Sequence, residues 1–162
     1  GKMLMHATCV PADNRYPTDL SLLNEARQKT EAFIDILHEP LKGRMKKPRT
    51  YRNVARKRYL AVTETKLPRK NKLRKAIRQQ LNYICRNLKH IESLVARYEV
   101  SPLTIRQGLV LETIKELYRQ QLYMYKHKTH SVENRIVSIG QLSSSEATPV
   151  LMLSSGPSWL SV

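Results

Sequence analysis

The chain has 162 residues, of which 41% are hydrophobic, so it is long enough for a folded core and too apolar for global disorder. Its 29 Lys and Arg against 13 Asp and Glu give a net charge of +16, which favours a polyanionic partner, nucleic acid first and an anionic membrane surface second. No apolar run is long enough for a membrane span, and the first eight residues are too short for a signal peptide. The two cysteines lack metal or redox spacing, so we expect reduced thiols in a cytoplasmic protein. Because the first residue is Gly1 and not Met, we expect the chain to begin within a longer protein or after a removed tag.

The first predicted elements are a strand and a helix. Residues 3–10 form a short apolar run with His6 at its centre, and Pro11 ends it, so a buried strand is predicted. Thr18 and Asp19 offer N-cap oxygens for a helix to about His38. Its inner face repeats apolar residues at helical spacing.

The next segment, residues 42–75, carries most of the charge. It holds 15 Lys and Arg with Glu64 as its only acid, and a helix is predicted over residues 51–63. A solvated face or a flexible arm is the alternative to nucleic-acid contact, but like charges at this density repel unless phosphates neutralise them. The candidate phosphate contacts are Lys46, Lys47, Arg49, Arg52, Arg56, Lys57, Arg58, Arg69 and Lys70.

A heptad seam follows over residues 72–98. Its apolar positions alternate spacings of four and three: Ile77, Leu81, Ile84, Leu88, Ile91, Val95 and Tyr98. Ser101 and Pro102 break this helix, and a second helix is predicted over residues 103–126. A short break favours antiparallel neighbours, so we expect a helical hairpin over residues 72–126, with an intermolecular coiled coil as the less favoured alternative.

The C-terminal part is predicted to be a strand and a tail. Residues 135–139 read as a strand ended by Gly140, and the Ser-rich, nearly uncharged residues 142–162 are predicted to be disordered or poorly packed. His127 and His130 are three residues apart, but no carboxylate or cysteine partner lies nearby in sequence, so polar helix-end roles are favoured over a metal site. No phosphate-binding glycine loop, nucleophile elbow or zinc spacing is present.

Several blocks resemble bacterial insertion-sequence transposases of the DDE type. The blocks are residues 6–27, 47–52, 74–78, 124–132 and 135–139, in the family's order, and together the resemblance covers about residues 2–141. It implies that the first strand belongs to an RNase H-like sheet and carries the first of three acids that hold two metal ions for attack on a phosphodiester. Where the family has Asp-Ala-Thr, this chain has His6-Ala7-Thr8, and imidazole is a poor substitute for a bridging carboxylate at a magnesium site.

The odd tail suggests a frameshift just after Gln141. Back-translating Ser144 to Val162 and reading two bases later gives a charged, Gly-containing peptide that resembles the family's next strand, and Met152 and Trp159 allow no codon freedom. Under this hypothesis residues 142–162 are out-of-frame peptide. Sequencing the coding DNA tests it, and an alternative frame with no transposase-like continuation would reject it.

The sequence therefore predicts a mainly α (α+β) fold, with a helical hairpin and a basic helical segment between two short strands left from an RNase H-like sheet. The expected units are residues 1–15 (first strand), 16–130 (helical region), 131–141 (second strand) and 142–162 (tail). The expected function is that of a fragment of a DNA transposase, inactive alone, with no cofactor in this chain although Mg²⁺ serves the intact family. The expected partner is DNA, at the element's terminal inverted repeats and along the phosphate backbone, with a homo-oligomer possible in the intact protein and a cytoplasmic, nucleoid-associated location. The alternatives are a non-catalytic basic helical module that binds nucleic acid and a protein-interaction module that uses the seam.

Overall fold

A computed structural model describes residues 15–140, and this part of the chain is mainly helical. Its four α-helices are α1 (Arg15–His38), α2 (Arg52–Thr63), α3 (Lys70–Val95) and α4 (Ile105–His127), with a 3₁₀ turn at Glu39–Leu41. The predicted helical class is confirmed, and each predicted helix is present with its ends shifted by a few residues. The first predicted strand (residues 3–10) and the predicted tail (residues 142–162) lie outside the described residues.

The second predicted strand is wrong. Within residues 15–140 no strand forms, and residues 135–138 have irregular backbone that packs on the helices. Ile136 and Ile139 are 4% and 1% exposed while Val137 is 56% exposed, so the buried positions are three apart and not two. The Ile136 N–H, which a sheet would pair, donates to Gln120 Oε1 at 2.9 Å. A side chain of α4 therefore satisfies the backbone group that a neighbouring strand was expected to satisfy.

The most extensive helix contact joins α1 and α3, which run parallel. Arg27 hydrogen-bonds Gln80, Thr30 bonds Asn87, and the Tyr98 hydroxyl donates to the Leu37 carbonyl at 2.5 Å, so residue numbers rise together along both helices. The central seam residues of α3 are at most 2% exposed: Leu81, Ile84, Leu88 and Ile91. Burying each such side chain contributes about 1.5–3 kcal/mol. The seam is therefore covered within the chain, by α1 as well as by the expected hairpin partner.

The hairpin partner is α4, which runs antiparallel to α3. Arg74 near the start of α3 donates to the Tyr125 carbonyl near the end of α4 at 2.8 Å. At α4's own start, Thr104 and Gln107 form a capping box, with Gln107 N–H bonding Thr104 Oγ1 and Thr104 N–H bonding Gln107 Oε1. Leu111, Ile114 and Leu117 of α4 join the same apolar cluster as the seam.

Helix α2 returns the chain from the end of α1 to the start of α3. It buries only Ala55 and Val62, and Val62 joins Leu20, Leu73 and Ala76 in a second, smaller apolar cluster. Its remaining surface is exposed or half-exposed. A short helix with so narrow a buried stripe presents most of its cations to solvent.

A buried polar cluster fixes how α1 sits on α3. The Arg27 guanidinium is 1% exposed and donates to Glu31 at 2.5 Å, to Asn24 at 2.6 Å and to Gln80 Oε1 at 2.9 Å. Gln80 in turn donates to the Ala55 carbonyl of α2 at 3.4 Å. These bonds form in only one register of the three helices, so the cluster selects that register at the expense of desolvating a charge.

Candidate nucleic-acid interface

Of the nine predicted phosphate contacts, five are exposed and make no ion pair or side-chain hydrogen bond within residues 15–140. These are Lys46, Arg56, Lys57, Arg69 and Lys70. Lys46 lies in the irregular segment before α2, and Arg56 and Lys57 lie on the helix itself. Each is open to solvent, where a cation can reach and neutralise a phosphate.

The other four predicted contacts are engaged within the protein. Arg52 binds both carboxylate oxygens of Asp35, at 2.9 and 3.2 Å, and Lys47 also pairs with that carboxylate. Arg58 donates to the Tyr83 hydroxyl at 2.8 Å, and Arg49 lies over the Tyr51 ring with its Cζ 4.7 Å from the ring centroid. Sequence reasoning had grouped all nine together, whereas the structure separates free cations from those with intramolecular partners.

Asp35 joins the end of α1 to the basic segment. Burial pushes its pKa up, but hydrogen bonds from Arg52 and Lys47, with their charges, outweigh that effect and leave the pKa below the usual 3.8. The hydrogen bonds that Arg52 donates to Asp35 in turn raise the pKa of Arg52. The carboxylate is therefore ionised at neutral pH and offsets charge that Lys47 and Arg52 would otherwise present to a polyanion.

Tyr51 immediately precedes α2 and has a left-handed backbone, with φ 56° and ψ 30°. This conformation is uncommon for a bulky residue. The ring is 40% exposed and lies near two guanidinium groups, since the Arg86 Cζ is 4.9 Å from its centroid and Arg49 lies at 4.7 Å. Cation–π contacts of this kind bring two arginines from different elements to one ring.

Arg86 belongs to a row of cations on the solvent face of α3, none of which is among the nine predicted phosphate contacts. The row comprises Lys75, Arg78, Arg86 and Lys89, all exposed and without an ion pair among the described residues. It extends about 21 Å along the helix at 1.5 Å per residue. The signal was available in the sequence, because these positions recur at helical spacing on the face opposite the seam. We call the row together with Lys46, Arg56 and Lys57 the basic surface.

His90 borders the basic surface. Burial and the charge of Arg86 lower its pKa below 6.5, although a hydrogen bond to the Arg49 backbone acts in the opposite direction. The imidazole is thus largely neutral at pH 7 and is sensitive to the charge on Arg86.

No metal centre emerges from the described part of the chain. Across residues 15–140, no three His, Cys, Asp or Glu side chains come together as a metal ion requires. His127 lies in the last turn of α4 with its ring centroid 4.1 Å from that of Tyr123. His6, which the sequence resemblance predicts at the position of a catalytic Asp, lies outside the described residues.

Comparison with known proteins leaves the function to be argued from this geometry. No protein-family model, curated protein or solved structure matches the chain. Among the helices of residues 15–140, none combines the length and hydropathy that crossing a bilayer demands.

Proposed function

We propose that this protein binds double-stranded DNA through phosphates along the basic surface. The observation that carries the proposal is the charge of that surface: between residues 40 and 91 the only acid is Glu64, and the cations of the surface are exposed and unpaired within the described part of the chain. Charges at this density cannot be buried in a core. On a surface with a purely structural role, acids would balance them, as Asp35 balances Lys47 and Arg52.

The chemistry favours the DNA backbone over the base edges. The surface consists of long, flexible Lys and Arg side chains, which neutralise phosphates as point charges or forks. Backbone contacts of this type fix position and supply affinity without reading sequence. The expected binding is therefore strongly dependent on salt and weakly dependent on sequence.

The test is the salt dependence of duplex binding, measured by fluorescence anisotropy from 50 to 300 mM KCl. A variant that carries Lys46→Gln, Arg56→Gln and Lys57→Gln should lower the slope of log K against log[salt] by up to about 2.7, at about 0.9 per lost phosphate contact. The matched control removes three charges elsewhere: Lys29→Gln, Arg106→Gln and Arg119→Gln. Equal effects of the two triple variants would show that net charge alone, and not this surface, determines binding.

We also infer that the chain is part of a DDE insertion-sequence transposase, catalytically inactive alone. Support comes from the ordered blocks of resemblance and from the basic helical region that they enclose, while His6 in place of the first acid argues against metal binding. Two measurements test this inference. Sequencing the locus should find terminal inverted repeats and a transposase-like reading frame after Gln141, and a strand-cleavage assay with Mg²⁺ on the element's end DNA should give no turnover.

The alternative of a non-catalytic nucleic-acid-binding module uses the same surface and predicts the same salt slope. Sequencing the locus distinguishes the two hypotheses, because terminal inverted repeats are expected around a transposase gene and not around the gene of an unrelated module. The third possibility, assembly through the seam, is disfavoured by the burial of Ile84 and Leu88 at 0% and 1% exposure within the chain.

A further inference from the structure

A cavity of about 390 Å³ lies where the start of α3 meets the end of α4, and it is distinct from the basic surface. Its cations are Lys70 and Arg74 from α3 and Lys128 from the residue after α4, while Leu73 and Met124 contribute apolar lining. Its volume falls in the usual range for small-molecule sites, which combine apolar walls with a few polar groups. The cavity therefore offers positive charge beside an apolar floor.

The one carboxylate in the lining does not cancel this charge. Asp19 is 5% exposed and is bound by the Arg135 guanidinium, with Gln121 at 3.5 Å on the same oxygen. Lys70 and Lys128 are exposed and make no ion pair with any residue of 15–140. The unbalanced charge of the cavity is consequently positive, and an anion is the ligand that it attracts.

The Arg74 guanidinium is positioned to stack against a planar ligand. Its Nη2 donates to the Tyr125 carbonyl at 2.8 Å, and its Cζ lies 3.9 Å from the Tyr125 ring centroid. The guanidinium lies over one ring and Arg74 is half-exposed, so its other face can accept a nucleobase, which stacks on such planes. Arg74 therefore supplies a fixed platform as well as a charge.

The first turn of α3 adds backbone donors. The N-cap residue Arg69 is extended and provides no side-chain cap, and the first intrahelical bond runs from the Leu73 N–H to the Arg69 carbonyl at 2.9 Å. The N–H groups of Lys70 and Asn71 precede that bond and have no partner in the helix, and both residues line the cavity. Phosphate oxygens are natural acceptors for donors of this kind.

We propose that this cavity binds a nucleotide phosphate monoester, with the phosphate at Lys70 and Lys128 and the base on the free face of Arg74. The same chemistry is offered by a free nucleoside monophosphate and by the 5′-phosphorylated end of a DNA strand. Lys128 is in a left-handed conformation with φ 53°, at a position where glycine is usually preferred. A lysine at this position is costly for the helix end and places a charge at the cavity.

The test uses two 3′-labelled 12-nucleotide single strands of one sequence, one with a 5′-phosphate and one with a 5′-hydroxyl. The full chain should bind the phosphorylated strand about tenfold more tightly, which corresponds to about 1.4 kcal/mol. The double variant Lys70→Gln and Lys128→Gly should reduce that preference to less than twofold. Since glycine relieves the left-handed strain, the Lys128→Gly melting temperature should equal or exceed that of the parent, which excludes misfolding as the cause.

Control variants distinguish the 5′-phosphate preference of the cavity from the duplex affinity of the basic surface. Lys46→Gln with Lys57→Gln removes the same number of charges from the basic surface and should keep the 5′-phosphate preference, while Lys128→Gly alone, which leaves every predicted duplex contact in place, should keep its duplex affinity within about twofold of the parent. Competition by millimolar dTMP identifies the free nucleotide as a ligand, whereas displacement only by phosphorylated strands identifies the strand end. Equal binding of the two strands by the parent, or a preference that survives the cavity variant, would overturn the proposal.

Discussion

Replacing Asp35 with Asn should strengthen DNA binding while weakening the fold. The carboxylate binds Lys47 and the two terminal guanidinium nitrogens of Arg52, and all three side chains are about 40% exposed. Without it, two further cations of the basic segment become available to phosphates and the net charge rises from +16 to +17. An uncharged amide keeps the shape of the side chain, so the packing of α1, to which Asp35 belongs, changes little.

The expected magnitudes follow from the exposure of the pair. If both released cations reach phosphates, the slope of log K against log[salt] steepens by up to about 1.8, which means about 12-fold more affinity lost between 50 and 200 mM salt. Solvent screening limits the loss of folding free energy to about 1 kcal/mol. The parent should also lose this stabilisation in acid, because the lowered pKa of Asp35 makes it present above about pH 4 and lost as pH falls through the folded-state pKa. Asp35→Asn should lack that component.

Fluorescence anisotropy over a KCl series and urea unfolding at pH 7 and pH 3 provide the measurements. The control is Glu116→Gln, which raises net charge equally but releases only Arg119 on α4. An Asp35→Asn slope that is unchanged, or no steeper than that of Glu116→Gln, would refute the assignment of Lys47 and Arg52 to the DNA-facing side.

Three further outcomes are expected. Glu31→Ala should destabilise the fold by about 3 kcal/mol in urea unfolding, because Arg27 is left charged and 1% exposed without its carboxylate; a loss below 1 kcal/mol would contradict this. Ile84→Ala should cost about 2–5 kcal/mol, since the residue is fully buried in the seam. The His90 pKa, followed by NMR of its ring proton, should lie below 6.5 in the free protein and rise on addition of duplex DNA as phosphate neutralises Arg86. Without DNA, the lowered pKa makes stability fall as pH drops below 6.5, because the unfolded chain takes the proton first.

The helices could be predicted from the sequence because their apolar periods are long and their ends carry clear breakers. The seam from Ile77 to Tyr98 identified α3, and Ser101-Pro102 identified the turn before α4. The parallel docking of α1 could not be predicted, since it is fixed by Arg27 and Gln80, residue types that usually indicate a surface. Burial of these side chains depends on partners 53 residues apart, which no local pattern reveals.

The wrong strand prediction and the incomplete set of phosphate contacts both result from tertiary contacts that local sequence does not reveal. Residues 135–139 are rich in β-branched side chains, which favour a strand, but Gln120 satisfies the Ile136 N–H and the segment packs on α4. The basic segment was identified by charge density, yet which of its cations are free depends on Asp35, seventeen residues from Arg52. Arg86 lies beyond the basic segment, on the face of α3 opposite the seam, so charge density along the chain did not indicate it. Local composition therefore located the candidate interface, whereas tertiary pairing decided its members.

The parallel pairing of α1 with α3 has a consequence for synthesis on the ribosome. The C-terminal end of α1 reaches its partner only when Tyr98 has been made, 61 residues after Leu37. At a synthesis rate of about 5–20 residues per second, the apolar face of α1 stays uncovered for roughly 3–12 s until the end of α3 has been made. In contrast, α3 and α4 can pack together across a short turn as soon as α4 emerges. During that interval the nascent chain exposes Leu23 and Ile34 beside a growing run of cations. A chaperone that covers apolar helices, or a polyanion that captures the cations early, therefore competes directly with the docking of α1.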